Sequence, residues 1–351
     1  MKPWLFRVDA DSTTGMGHLR RSLSLAHALR DVRVPVRFLT SAHPTSLGLI
    51  RQAGFEAEGL SGVPSWSARD LGETLELARG ADAVGVLVDS EEAGSEYFSG
   101  LRQAGFLTAV RDDLGLRALR VDLVINGNAG AERLPYAGRD AATRYLLGPS
   151  FAVLAPDFWE PPERAATSRK KLRLLLMAGG ADSAGFLPDL ARRLGNLGGL
   201  HLSVVAGPFF RNAEGLRGVC RSLPRPAQFF RDPVSLSSVM GRSHLAVTAA
   251  GQTLYDLACA GCPAIAYEGA PNQAGQLRAM EEQGCLIRIE SGGGEFPGME
   301  EQVLQLVADP ASRDEMAGCG QRLVDGKGAG RVALEMAALC GAEKLVCHPK
   351  P

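Results

Sequence analysis

The feature that most constrains this chain is a rhythm that runs through it twice: short, nearly continuous apolar runs, each followed by a segment of helical periodicity. Residues 5–8, 34–39, 84–88, 107–110 and 123–125 are such runs. Their lack of polar alternation places them in a sheet covered on both faces, which is the situation of parallel strands. Residues 18–30, 44–53, 68–79 and 95–104 read as the intervening helices, the second with Pro44 in its first turn. Residues 155–171, rich in proline and charge, break the pattern. It resumes with strands at 172–177, 200–205, 228–230, 245–248, 264–267 and 286–289, helices at 251–260 and 272–283, and closing amphipathic segments at 310–324 and 331–339.

A chain of 351 residues exceeds what one hydrophobic core usually organises. The expected architecture is therefore α/β, with two Rossmann-like parallel-sheet domains at 1–155 and 172–351, a linker at 156–171, and a last helix able to pack back on the first domain. Ligands of doubly wound sheets bind at the carboxyl ends of the strands, so an interdomain cleft is the expected site. A net charge of -1 offers no global field for nucleic acid or an anionic membrane, and no such partner is expected. The amino terminus leads straight into a strand, no apolar run reaches membrane-spanning length, and the seven cysteines fit buried, reduced thiols; together these predict a cytoplasmic protein. Cys259 and Cys262 have redox or zinc spacing but lie inside an apolar run with no second pair, so no metal and no cofactor is expected.

Candidate chemistry gathers at strand ends. After the first strand, Asp9 and Asp11 lead through Gly15 and Gly17 to His18 at the start of a helix. The glycines admit close backbone approach, and the helix amino terminus offers unpaired N–H groups to negative charge. The third glycine of the dinucleotide fingerprint and the Lys-Ser/Thr of a P-loop are missing, which argues against NAD and ATP. The helix dipole disfavours an imidazolium at His18, which suits a general base; capping or packing is the competing role. Arg21, one turn on, can hold an anion or be a surface charge. In the second half, Gly179-Gly180 and Gly251-Gln252-Thr253 each link a strand to a helix and can cradle a diphosphate through main-chain amides, or be tight turns. Asn272 and Gln273 offer neutral groups to sugar or ribose hydroxyls, and Asp89, Asp112 and Asp113 close first-half strands.

In order, Arg7, Asp9 and Asp11, the stretch from Gly15 through His18 to Arg21, and Asp112-Asp113 make a recognisable series. So do Val121 through Asn128, Leu147-Gly148-Pro149, Gly179-Gly180 with Asp182, Gly251 through Leu254, Asn272-Gln273, and Asp325 through Arg331. The series, spanning about residues 5–335, resembles the UDP-sugar hydrolases of the pseudaminic acid pathway and the related spore-coat polysaccharide proteins. The resemblance implies a GT-B fold, a UDP-sugar substrate, and hydrolysis of UDP-2,4-diacetamido-2,4,6-trideoxy-β-L-altrose to UDP and free sugar. It implies His18 as catalytic base and Asn272 as a substrate contact. Where those hydrolases carry a tyrosine after the strand ending Val88-Asp89-Ser90, this chain has Glu91, which leaves the attached sugar and the hydrolysis itself open.

The expected site thus has His18 and Asp11 as catalytic residues, and Gly15, Gly17, Arg21, Asp89, Glu91, Asn272 and Gln273 around the sugar. Asp9 or Asp113 can also position the imidazole or a water. Gly179, Gly180, Gly251, Gln252 and Thr253 are expected around the diphosphate. Transfer of the sugar to a hydroxyl acceptor, and nucleotide-sugar binding without turnover, are the other readings of the same residues.

Overall fold

The computed structural model describes residues 1–9, 17–117, 119–136, 141–164, 172–180, 182, 185–207, 210–292 and 294–341. The chain divides into two compact units, one comprising Met1–Pro156 with Lys327–Pro351 and the other Asp157–Gly326.

In the first unit, β1 (Trp4–Val8), α1 (Gly17–Asp31), β2 (Val36–Ser41), α2 (Pro44–Gln52), β3 (Glu56–Leu60) and α3 (Ala68–Gly80) are followed by β4 (Gly85–Asp89), α4 (Ser95–Gln103), β5 (Leu107–Arg111), β6 (Leu123–Asn126) and β7 (Arg144–Leu147). The seven strands are parallel in the order β3-β2-β1-β4-β5-β6-β7. The order reverses between β1 and β4, so the connections that follow these two strands diverge and leave a crevice at their carboxyl ends. Every residue of β1 and β4 is buried. The two strands the sequence reading missed, β3 and β7, are the sheet edges. Glu56 and Glu58 in one and Arg144 in the other face solvent, which removes the continuous apolar run that marks a central strand.

The last helix, α12 (Gly328–Leu339), belongs to this first unit and packs on α1. Close backbone approach fixes its first residue as glycine: a Cβ at Gly328 would stand 2.2 Å from the Ala152 carbonyl oxygen.

The second unit runs β8 (Leu172–Met177), α5 (Leu187–Gly195), β9 (Leu200–Ala206), α6 (Ala213–Ser222), β10 (Gln228–Arg231), α7 (Leu236–Gly241), β11 (Leu245–Ala249), α8 (Gln252–Cys259), β12 (Ala264–Tyr267), α9 (Ala274–Glu282), β13 (Leu286–Ile289), α10 (Met299–Ala308) and α11 (Pro310–Leu323). Its six strands are parallel in the order β10-β9-β8-β11-β12-β13, reversing between β8 and β11. Leu174, Leu176, Val204, Val247 and Ile265 from the strands pack with Leu190, Leu216 and Val303 from the helices. Part of the expected linker is in this unit: the Asp157 carboxylate accepts the Ser237 N–H at 3.0 Å, and Arg164 pairs with Asp314 at 2.6 Å. The helix expected at 272–283 opens with a separate 3₁₀ turn, Pro271–Gln273, before α9.

Cys220, Cys259, Cys262 and Cys285 are free, buried thiols; Cys347 lies outside the described residues. Burial pushes Cys259 and Cys262 up to about 12, so both are packed as neutral groups at physiological pH. Among the described residues no helix is long and apolar enough to cross a membrane.

Candidate functional site

In the first unit the site is built at the reversal point. The register sets Val8 level with Asp89 and Asp89 level with Arg111, so β1, β4 and β5 end together. The first turns of α1 carry His18, Arg21 and Ser22, spaced three and four residues apart on one face. All three reach the last residue of β4. His18 Nδ1 lies 2.8 Å from Asp89 Oδ1; Arg21 Nε and the Ser22 hydroxyl each donate to Asp89 Oδ2 at 3.0 Å; Arg21 Nη2 donates to Oδ1. Each carboxylate oxygen therefore has two donors. Arg21 extends the chain through Nη1 to Asp113 Oδ2 at 2.6 Å, and Asn128 holds the other oxygen of Asp113 at 3.1 Å.

This geometry assigns the imidazole tautomer. Nδ1 also lies 2.9 Å from Arg21 Nη2, which can only donate, whereas the ionised Asp89 can only accept. The guanidinium has both Asp89 oxygens and Asp113 to satisfy it, while a lone pair on Nδ1 would face a carboxylate lone pair at 2.8 Å. The proton therefore sits on Nδ1, and Nε2 carries the lone pair. The side chain is 24% exposed.

Burial alone would push Asp89 up, but Arg21, His18 and Arg111 outweigh it and hold the carboxyl far below the usual carboxylate range. Asp113 is lowered against its burial by Arg21 and Arg111, and Asp70 against its burial by Arg7. A carboxyl whose folded value is depressed stabilises the fold above its unfolded value and loses that contribution as the pH falls. The melting temperature is thus expected to hold steady from pH 8 to about pH 5 and to drop steeply below about pH 4. Thermal melts of the wild type across pH 3 to 8 check this; an acid-insensitive melting temperature contradicts it.

Arg21 and Asp89, expected at the substrate, are both buried and contact His18 and each other. Glu91 is half-buried on the turn after β4, which Arg117 pins by donating to Ser90 O at 3.1 Å, Ala93 O at 2.8 Å and Asp112 at 3.1 Å. Asp9 belongs to a separate buried network: Arg7 bridges it to Asp70, and it accepts from Ser41 N–H and the Ser65 hydroxyl, both at 2.7 Å. The Arg7 guanidinium also stacks on Trp66, 4.3 Å from the ring centre. Gly17 opens α1; Asp11 and Gly15 lie outside the described residues. The sequence reading missed Arg111 and Asp70, and had Asn128 within the resemblance series but with no role at the site. The available signal for Arg111 was a charge terminating an apolar strand.

In the second unit, Gly251 stands at φ +125° between β11 and α8, a conformation open to glycine, and its carbonyl oxygen accepts the Leu254 N–H at 3.0 Å as α8 begins. Gln273 folds over this turn: its Oε1 accepts the Gly269 N–H at 3.0 Å, and its Nε2 stands 3.3 Å from where a Gly251 Cβ would be. Asn272 is exposed, Gln252 half-buried and Thr253 buried. A cavity of about 400 Å³ opens beside them at the ends of β12 and β13, bounded by Glu268, Gly269, Arg288, Glu290 and Ser291. None of these five was expected.

Gly179, at φ +67°, turns the chain after β8, and Asp182 caps α5 by accepting the Phe186 and Leu187 N–H groups at 3.1 and 2.9 Å. The turn is backed by Gly207, where a Cβ would stand 2.3 Å from the Gly180 carbonyl oxygen. Gly207→Ala is expected to displace the Gly179-Gly180 turn and destabilise the protein by about 1–3 kcal/mol. A melt and a UDP titration of the variant test this, with a weakened UDP affinity as the expected result.

A further cavity, of about 530 Å³, lies at the opposite, amino-terminal ends of β2 and β3, lined by Arg30, Arg33, Arg37, Phe55 and Glu56. It is remote from the imidazole. Arg30 stands in the last turn of α1, where a cation complements the helix dipole.

No family model matches the chain. It is 22% identical over 268 residues to an uncharacterized protein of Methanocaldococcus jannaschii, covering 74% of this chain and 54% of that one. It is 25% identical over 226 residues to the spore coat polysaccharide biosynthesis protein SpsG of Bacillus subtilis, covering 60% and 63%. The matches thus span less than two thirds of either relative. Among solved structures, MurG of Acinetobacter baumannii superposes with a TM-score of 0.69 at 14% identity, covering 96% of this chain and 99% of that one. MnaA of S. aureus with UDP gives 0.66 at 11%, covering 97% and 98%, and Anabaena HepE with UDP gives 0.63 at 12%, covering 96% and 100%. The two parallel sheets and these likenesses give the chain the GT-B-like fold expected from its sequence.

Proposed function

We propose that the chain acts on a UDP-sugar and hydrolyses the anomeric C–O bond, with His18 as general base. The observation that carries this reading is the Asp89-backed imidazole, whose Nε2 lone pair stands at the carboxyl edge of the first sheet. A water hydrogen-bonded to Nε2 attacks C1. Its proton passes to Nε2 as the bond from C1 to the diphosphate oxygen breaks, and the electron pair leaves with UDP. Asp89 keeps the ring oriented and favours the imidazolium that forms. The first-turn amides of α8 stabilise the charge developing on the diphosphate, with Gly179-Gly180 as a second main-chain donor loop.

The UDP-bound neighbours and the polysaccharide biosynthesis named for the Bacillus relative support a nucleotide-sugar substrate. A deoxy-diacetamido sugar is the group the sequence resemblance favours, and Glu91 is the residue through which this chain's sugar would differ. The second reading is transfer to a hydroxyl acceptor by the same base, favoured by the glycosyltransferases among the structural neighbours. Incubation with a panel of UDP-sugars, with and without alcohol acceptors, followed by NMR of the sugar and nucleotide signals, separates them. Free sugar and UDP without acceptor supports hydrolysis; UDP release only with acceptor supports transfer; no UDP release from any of them contradicts both.

A further inference from the structure

Arg111 closes β5 with its side chain 3% exposed. Its Nε and Nη1 are buried and have no hydrogen-bond partner. Buried guanidinium donors are normally all satisfied, and leaving them bare is costly. The nearest anion explains the anomaly without curing it: Arg111 Nε lies 3.8 Å from Asp89 Oδ2, an ion-pair distance too long for a hydrogen bond. Asp89 has no acceptor site to spare, because His18, Arg21 and Ser22 already supply two donors to each oxygen. Arg111 therefore contributes charge to this cluster and no hydrogen bond.

The charge count shows what that contribution is for. Around the imidazole, α1 presents Arg21, β4 presents Asp89, and β5 with its following turn presents Arg111 and Asp113; Glu91 stands half-buried on the turn after β4. Asp112 is turned to Arg117. Asp89 and Asp113 against Arg21 alone would leave one uncompensated buried negative charge behind the imidazole. With Arg111, the four buried groups Arg21, Arg111, Asp89 and Asp113 sum to zero, and the half-buried Glu91 adds one negative charge at the turn after β4. Burial and the neighbouring Arg21 push Arg111 down to about 10, which still leaves it a cation at neutral pH.

We propose that Arg111 is a positioning residue which, acting through Asp89, keeps His18 neutral and able to accept a proton. The proposal rests on the general-base reading of His18. The test is kcat/KM with a turned-over UDP-sugar from pH 5.5 to 9.5 for wild type, Arg111→Met, Arg111→Gln and Arg111→Lys, with a thermal melt of each. Both neutral variants are expected to move the acid limb of the profile up by about one pH unit. That is a roughly tenfold loss on the limb, with most of the activity regained at high pH, and lysine is expected to restore the limb. If methionine prevents folding, the glutamine variant carries the same comparison. A loss that is uniform across pH, or a profile that does not move, overturns the proposal and leaves the base assignment standing. Full turnover by His18→Ala instead removes the base assignment and takes this inference with it.

Discussion

Replacing His18 by alanine lowers the rate of UDP release by about 10²–10⁴-fold, the range a positioned general base contributes, while UDP itself binds with near wild-type affinity. The two halves of this expectation come from different units. The imidazole belongs to α1 in the first, and the main-chain donors proposed for the diphosphate begin α8 and follow β8 in the second. Steady-state kinetics give the first quantity and calorimetric titration of UDP the second. A variant that binds UDP poorly would mean that His18 serves the nucleotide, and a variant that turns over normally would mean that it is not the base.

Asp89→Asn is the second large effect, and it strikes both rate and stability. The substitution preserves shape but removes the carboxylate that His18, Arg21 and Ser22 share, leaving Arg21 with Asp113 and Arg111 further unpaired. Asp89 has a side-chain exposure of 1%, so solvent cannot take its place. Removing one partner of a buried ion pair costs about 3–5 kcal/mol. The amide can also turn its NH₂ toward Nδ1, which reverses the tautomer and places the proton on Nε2; the analogous change in serine proteases costs roughly 10⁴-fold in rate. Denaturant melts and kinetics on the same preparation separate the two losses. A folded variant with wild-type kcat contradicts the orienting role of Asp89.

Much of the scaffold is written in apolar runs. β1, β4, β8, β11 and β12 are central strands covered on both faces, and their continuous Val, Leu, Ile and Ala stretches announce them. β3 and β7 gave no such signal because Glu56, Glu58 and Arg144 put exposed charge into them, whereas β10 and β13, also sheet edges, keep short apolar pairs. Among the helices, α5 spaces Leu187, Leu190, Ala191 and Leu194 as a helix should, and it follows the Gly179-Gly180 turn where a helix was expected.

The site was legible in part for a similar reason. His18 stands out as a titratable group between a strand and a helix, and Gly251 as a glycine at a strand end. Their partners are long-range: Asp89 is 71 residues from His18, and Gly207 backs a turn that lies far from it in sequence. Only strand order brings these pairs together. Arg111 reads as one more surface arginine until the sheet register sets it beside Asp89 and shows it buried.

The most direct test of the central claim is single-turnover reaction of a UDP-sugar in ¹⁸O-labelled water, with mass spectrometry of both products. Attack of solvent on C1 places the label in the released sugar and none in UDP. Label in the UDP phosphate would show attack at phosphorus and would contradict the assignment of His18 as the base for hydrolysis at the anomeric carbon.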